Sequence, residues 1–175
     1  MTTSSSPSSS QFDANTNPSP VFRMYKKLSK KPGGKALFSA AVSLKAPYFS
    51  TVLPRLQEMR PGYSEVKVPK WWLVNNHIKT FHAIAACNAA EFAMGMLAEA
   101  SLPNTHRWLP KGMRTEYRTK SKGGLTARAS ADLPDFSQIT RESGGQTLTV
   151  TIHFEDAAGN EPVYAEIDIW VTAKK

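Results

Sequence analysis

Residues 79–100 read Lys79-Thr80-Phe81-His82-Ala83-Ile84-Ala85-Ala86-Cys87-Asn88-Ala89-Ala90-Glu91-Phe92-Ala93-Met94-Gly95-Met96-Leu97-Ala98-Glu99-Ala100, and Pro103 follows. Alanine, leucine, methionine and glutamate are strong helix formers, so this stretch predicts one helix, roughly 30 Å long at about 1.5 Å per residue. Pro103 ends it. Its surface is apolar nearly all round, which requires cover on most sides. Ala83, Ala85, Ala86, Ala89, Ala90 and Ala93 keep it thin, so neighbouring elements can approach closely.

On both sides of this helix the period changes from helical to alternating. Upstream, Thr51–Met59 runs through Arg60-Pro61-Gly62, a turn signal, into Tyr63–Val68. Downstream, Leu125–Leu133, Thr147–Phe154 and Val163–Val171 alternate apolar with polar residues, and Met113–Thr119 supplies a less regular strand. Period-2 alternation predicts antiparallel strands with one buried face. The order is two strands, a long helix and four strands. It describes an α+β domain in which a curved antiparallel sheet wraps a buried central helix.

Residues 1–19 are rich in Ser, Thr, Pro and Asn and nearly uncharged, the composition of a disordered tail. They lack the basic start and apolar run of a secretory signal. Residues 20–48 form an N-terminal helical segment: Phe22, Tyr25 and Leu28, then Leu37, Phe38, Ala41 and Val42, recur at helical spacing around Pro32-Gly33-Gly34. Seven basic residues and no acidic one lie between Val21 and Lys45. This is either a solvated face or a contact with phosphates or an anionic membrane surface. Residues 49–175 are the main domain.

The chain carries 22 Lys+Arg against 14 Asp+Glu, a formal charge of +8, which suits an anionic partner. Trp71-Trp72 beside Lys70 could stack on bases, but no nucleic-acid motif accompanies them, and nucleic acid is not an expected partner. Cys87 is the single cysteine, which excludes an intrachain disulfide and a Cys-based zinc site. No metal or cofactor is expected. His82, Asn88 and Glu91 within the one long apolar stretch argue against an integral membrane span. A cytoplasmic protein is the expectation.

Glu91 is a lone carboxylate among apolar neighbours. Buried, it must be paired, hydrogen-bonded or protonated, and desolvation raises its pKa. Asn88, one turn earlier, is a candidate hydrogen-bond partner. At the helix start, Asn76 to Ala83 gather near unpaired backbone N–H groups and the positive end of the dipole, a setting for a developing oxyanion or a helix cap. His82 and Glu91 are nine residues apart and at 100° per residue face opposite sides. They meet only if a two-fold partner sets its Glu91 beside His82 and Asn76.

The pattern Asn76-x5-His82-Ala83-x7-Glu91 resembles the Asn…His-Gly-Gly…Asp/Glu signature of phenylacetic-acid-type thioesterases of the hotdog fold. Arg60-Pro61-Gly62-Tyr63, Asn88-Ala89-Ala90-Glu91 and His106-Arg107-Trp108 resemble an uncharacterised bacterial branch of that superfamily, known as a domain of unknown function or as tetrameric acyl-CoA thioesterase-like proteins. The resemblance runs from about Ala46 to the C-terminus. It implies hydrolysis of an acyl-CoA thioester by a homodimer or a tetramer of dimers. Glu91 is implied as general base or nucleophile, the Ala83 N–H as polariser of the carbonyl, Asn76 as positioner of carboxylate or water, and His82 as the group orienting loop or thioester. Ala83-Ile84 replaces the usual Gly-Gly, and Pro110 falls where some relatives place a Ser or Thr.

Coenzyme A carries phosphates, and Arg114, Arg118 and Lys120 are the expected substrate-binding residues, within a group that also holds Arg107, Lys111, Lys122 and Arg128. Two other readings stay open. One is a non-catalytic acyl-CoA-binding hotdog protein. The other is a dehydratase or hydratase using His77 and Glu91, which are fourteen apart, although residues 76–88 lack the Pro-Gly-rich segment of those enzymes.

Overall fold

The computed structural model describes residues 13–175. The expected tail therefore falls mostly outside the described residues. Residues 13–19 pack onto the domain: Ala14 is buried, Pro18 bridges Pro103, and the Asn104 N–H donates to the Asn17 carbonyl at 2.8 Å.

Two helices follow, α1 (Pro20–Leu28) and α2 (Gly34–Lys45). Ser19 caps α1, its hydroxyl accepting the Phe22 N–H at 3.0 Å. Tyr25 meets Phe38 edge to face, with ring centroids 5.4 Å apart. Gly34 permits this contact: a Cβ there would sit 1.8 Å from the Leu28 carbonyl oxygen.

The sheet has six antiparallel strands: β1 (Arg55–Arg60), β2 (Tyr63–Val68), β3 (His106–Tyr117), β4 (Leu125–Ser130), β5 (Gln146–Glu155) and β6 (Val163–Ala173). Their order is β1-β2-β4-β5-β6-β3, so β1 and β3 are the two edges. The long helix α3 (Ala83–Ser101) crosses from β2 to β3 and touches all six strands. Six strands at about 4.8 Å spacing span about 24 Å, against a helix about 10 Å across. Both edges reach the helix only because the sheet curls round it.

Small residues on both partners set this closeness. Ala86, Ala89, Ala90 and Ala93 of α3 and Ala127, Ala129 and Ala165 of the sheet are buried, with Phe92, Met94, Leu97, Ile152 and Ile167 filling the space between. Each large side chain of this kind is worth about 1.5–3 kcal/mol of transfer free energy.

Four boundaries differ from the sequence expectation, the simplest being that β4 ends at Ser130 rather than Leu133. Thr51–Pro54 is not strand, because Pro47–Val52 closes a 3-10 turn in which the Ser50 and Thr51 hydroxyls donate to the Pro47 and Tyr48 carbonyls. The long helix begins at Ala83 rather than Lys79, because residues 76–80 fold into a loop that Asn76 ties together. β3 begins at His106, seven residues before Met113, despite Pro110 and Gly112. An edge strand tolerates proline, which removes only a solvent-side donor, and the pairing with β6 slips by a bulge between Pro110 and Gly112.

Among the described residues no helix is long and apolar enough to cross a membrane.

Candidate active site

The start of α3 is built by its own loop. The Asn76 side-chain oxygen accepts the Ile78 and Thr80 N–H groups at 3.1 and 3.0 Å, and its amide donates to Thr80 Oγ1 at 2.7 Å. Lys79 takes a positive φ of 64°, and the Lys70 ammonium, its pKa lowered by burial, donates to the Lys79 carbonyl at 3.0 Å. Asn76 is thus the clasp of this loop.

The loop delivers the chain to His82, whose imidazole caps the helix: Nδ1 accepts the Ile84 N–H at 3.1 Å. An accepting Nδ1 leaves the ring proton on Nε2, pointing a donor outward from an exposed side chain. The His82 N–H itself donates to the Val74 carbonyl at 2.8 Å. Of the first-turn N–H groups, two are therefore satisfied, and those of Ala83 and Ala85 have no acceptor among the described residues. They stand where the helix dipole is most positive.

Above them lies a pocket of about 180 Å³, lined among others by Asn76, His82, Ala83, Tyr117, Lys120 and Ser121. Three of the four expected catalytic residues and one expected phosphate-binding residue thus converge. Tyr117 and Ser121, both from the β3 end and its following turn, were not singled out from the sequence. Their link to the helix start is long-range: the Phe81 N–H donates to the Ser121 carbonyl at 2.8 Å. Tyr117 lies with its hydroxyl 3.1 Å from Cys87 Sγ, and partial burial together with that contact pushes its pKa up to about 12.

Glu91 is not in this pocket. It is exposed, which corrects the expectation of a buried carboxylate. Ile84, Cys87 and Glu91 recur at i, i+3 and i+7 along one stripe of α3. The Pro47–Val52 turn flanks it on one side, since Asn88 donates to the Tyr48 carbonyl and Thr51 Oγ1 at 3.2 and 3.0 Å. β3 flanks it on the other, since Cys87 Sγ lies beside Thr115 and Tyr117. Glu91 therefore sits in an open trough. Asn88 spends its amide on the turn rather than on Glu91, and its side-chain oxygen is buried without a partner among the described residues.

The expected phosphate binders separate too. Arg114 pairs with Glu166, and Arg118 pairs with Glu116 and Glu161, which raise its pKa. Lys120 alone of the three lines the pocket at the helix start. His77 is exposed on the loop and does not line that pocket.

A family model described as a domain of unknown function (DUF4442) matches residues 34–171. No curated protein sequence matches the chain significantly. Among solved structures, a structural-genomics crystal structure with no activity in its name is 38% identical, over 88% of this chain and 97% of its own, with a TM-score of 0.72. A Pseudomonas aeruginosa protein of unknown function, given as a probable thioesterase, is 20% identical over 82% of this chain and 97% of its own, with a TM-score of 0.71. A Haemophilus influenzae thioesterase is 11% identical over 72% of this chain and 82% of its own, with a TM-score of 0.62. At these last two identities the likeness is one of fold.

Proposed function

This chain belongs to the DUF4442 family and shares its fold with hotdog proteins named as thioesterases, and we propose that it hydrolyses acyl-CoA thioesters at a site shared by two copies of itself. One observation carries the reading: a carboxylate standing open in a trough and a set of unpaired N–H donors lie on the same helix, but apart. Ala83 and Glu91 are separated by eight residues, about 12 Å along the axis. A two-fold partner laid along β3 supplies the missing half to each site, its Glu91 facing the Asn76–Ala83 loop of the first copy. The free β3 edge suits such pairing, since Leu109 and Tyr117 on it are 65% and 52% exposed.

In the proposed reaction the thioester carbonyl oxygen faces the Ala83 N–H, with His82 Nε2–H beside it. Glu91 removes a proton from water as the water oxygen bonds to the carbonyl carbon, or attacks that carbon itself to form an acyl-Glu91 anhydride that water hydrolyses once the thiol has left. The oxyanion collapses, the C–S bond breaks, and the thiolate leaves to take up a proton. Lys120 holds a phosphate of coenzyme A. Relatives of the same fold named as thioesterases support the hydrolytic chemistry.

The test is thiol release from a panel of acyl-CoA esters by the wild type, by Glu91→Gln and by His82→Ala, followed by mixing of the two variants. A mixed dimer rebuilds one intact site of two, so random mixing restores about a quarter of wild-type activity. A mixture as inactive as its components removes the shared site. The exposed Ile84, in place of a second glycine, favours a second reading, an acyl-CoA-binding protein without turnover. Saturable binding with no thiol release from any ester would select it.

A further inference from the structure

The N-terminal helices carry two features that the hydrolytic reading leaves unused, and neither depends on it. The first is charge. Arg23, Lys26, Lys27 and Lys30 fall at i, i+3, i+4 and i+7, one exposed stripe running down α1 and just past its end. Lys31 follows in the turn, and Lys35 and Lys45 stand near the two ends of α2. None of these seven cations appears in an ion pair among the described residues. No acidic residue lies within the segment itself, from Val21 to Lys45.

The second is apolar surface on the neighbouring helix. Phe38 of α2 is buried, so the fold already uses one face of this helix. Leu37 and Leu44, seven apart on another face, are 60% and 83% exposed, and Tyr48 just beyond them is 66% exposed. Leu44 also borders a groove of about 810 Å³ between α2 and the β1 edge, walled by Ala40, Pro47, Leu53 and Pro54, with Lys35 and Arg55 at its margin. Large leucines beside lysines, on a helix whose other face is packed, match what an interfacial helix presents to lipid: an apolar face for the acyl boundary and cations for the headgroups.

We propose that α1 and α2 form a docking surface for an anionic lipid bilayer. Leu37, Leu44 and Tyr48 enter the headgroup boundary, and the cation stripe is held by anionic headgroups. An anionic bilayer meets both features at once, acyl boundary for the leucines and headgroup charge for the cations, whereas the chain's own first twelve residues carry no acidic side chain to meet the stripe.

The experiment is cosedimentation of the full chain with vesicles of phosphatidylcholine alone and of phosphatidylcholine mixed with phosphatidylglycerol. Binding is expected to prefer the anionic vesicles by at least about tenfold and to weaken with added salt. Lys26→Gln/Lys27→Gln/Lys30→Gln/Lys31→Gln and, separately, Leu37→Ser/Leu44→Ser are each expected to lose at least about tenfold in binding. Their helical circular dichroism and Tm should match the wild type, because all six side chains are at the surface. Amide hydrogen exchange on vesicles should slow across residues 37–48 in the wild type. Absence of binding to anionic vesicles, or equal binding to neutral ones, overturns the proposal. So does a leucine variant that binds as the wild type does, which would leave a mere polycation. A leucine variant with unchanged vesicle binding but a lower molar mass in solution would assign this face to a second copy instead, and stronger binding after removal of residues 1–12 would assign it to them.

Discussion

His82 caps the helix that it precedes, its Nδ1 accepting the Ile84 backbone N–H at 3.1 Å. The ring thereby does two things at once. It holds the first turn in place, and it fixes the proton on the outward Nε2. Those roles separate by substitution. Replacing His82 with Ala removes an N-cap and should cost about 1 kcal/mol of stability. His82→Asn restores a capping oxygen and should recover most of that loss in thermal unfolding, while leaving thiol release as low as the alanine variant. Full activity in His82→Asn would reduce the residue to a cap.

Glu91 stands in the open trough, so its replacement by Gln should leave the Tm unchanged while lowering kcat for thioester hydrolysis by about 10²–10⁴. A Glu91→Gln enzyme with the wild-type rate removes this carboxylate from the mechanism.

The ion pairs make a graded prediction for the cations. Arg118 is engaged by Glu116 and Glu161, and Arg114 by Glu166, so both have little charge to spare. Lys120 lines the pocket and is expected to raise KM for acyl-CoA when changed to Ala, with kcat nearly preserved. The same variant should be indifferent to an acyl-pantetheine, which lacks the nucleotide phosphates. An equal KM increase on both substrates would place Lys120 in the loop rather than on a phosphate.

What the sequence makes legible here follows its local physics. The all-round apolar face of α3 and the alternation of β2, β4, β5 and β6 are decided within short windows, and β2, β5 and β6 stand within two residues of the pattern, while α3 starts four residues late and β4 ends three early. Pro110 and Gly112 hide half of β3, because tolerance of proline depends on being an edge, which only the completed sheet decides. Asn76, His82 and Ala83 converge because they adjoin one helix start. Tyr117 escapes notice because its place beside Cys87 comes from thirty residues away. Glu91 looks buried on composition, yet its exposure is set by where the Pro47–Val52 turn and β3 leave a gap. Arg114 pairs across strands with Glu166 and Arg118 with Glu161 of the loop before β6, contacts that a run of basic residues conceals.

Tyr117 gives a prediction for alkaline solution. Its pKa is pushed up to about 12 in the folded chain, while an unfolded tyrosine titrates near about 10. Between those values the folded state holds the proton and the unfolded state has released it, so stability falls as pH rises through this window and is fully present below it. Tyr25 and Tyr63 are also raised, chiefly by burial, and act in the same direction. Urea unfolding at pH 8, 10 and 11 should show this fall, and Tyr117→Phe should make it shallower without abolishing it. An identical slope in the variant would detach Tyr117 from the effect.

The assembly prediction rests on the β3 edge. A twelve-residue edge strand carrying Leu109, Met113 and Tyr117 toward solvent is an invitation to pairing in any isolated chain. If two copies pair there, each trough closes over the other's helix start, and Glu91 leaves water only in the pair. Leu109→Lys with Met113→Lys should therefore lower the molar mass in solution by light scattering and abolish thiol release together, with the circular dichroism of the protomer kept. Dilution of the wild type should do the same reversibly, with specific activity following the dimer fraction rather than total protein. A monomeric variant with wild-type activity would place a complete site within one chain, and the 12 Å or so between Ala83 and Glu91 along the helix makes that the outcome the geometry opposes.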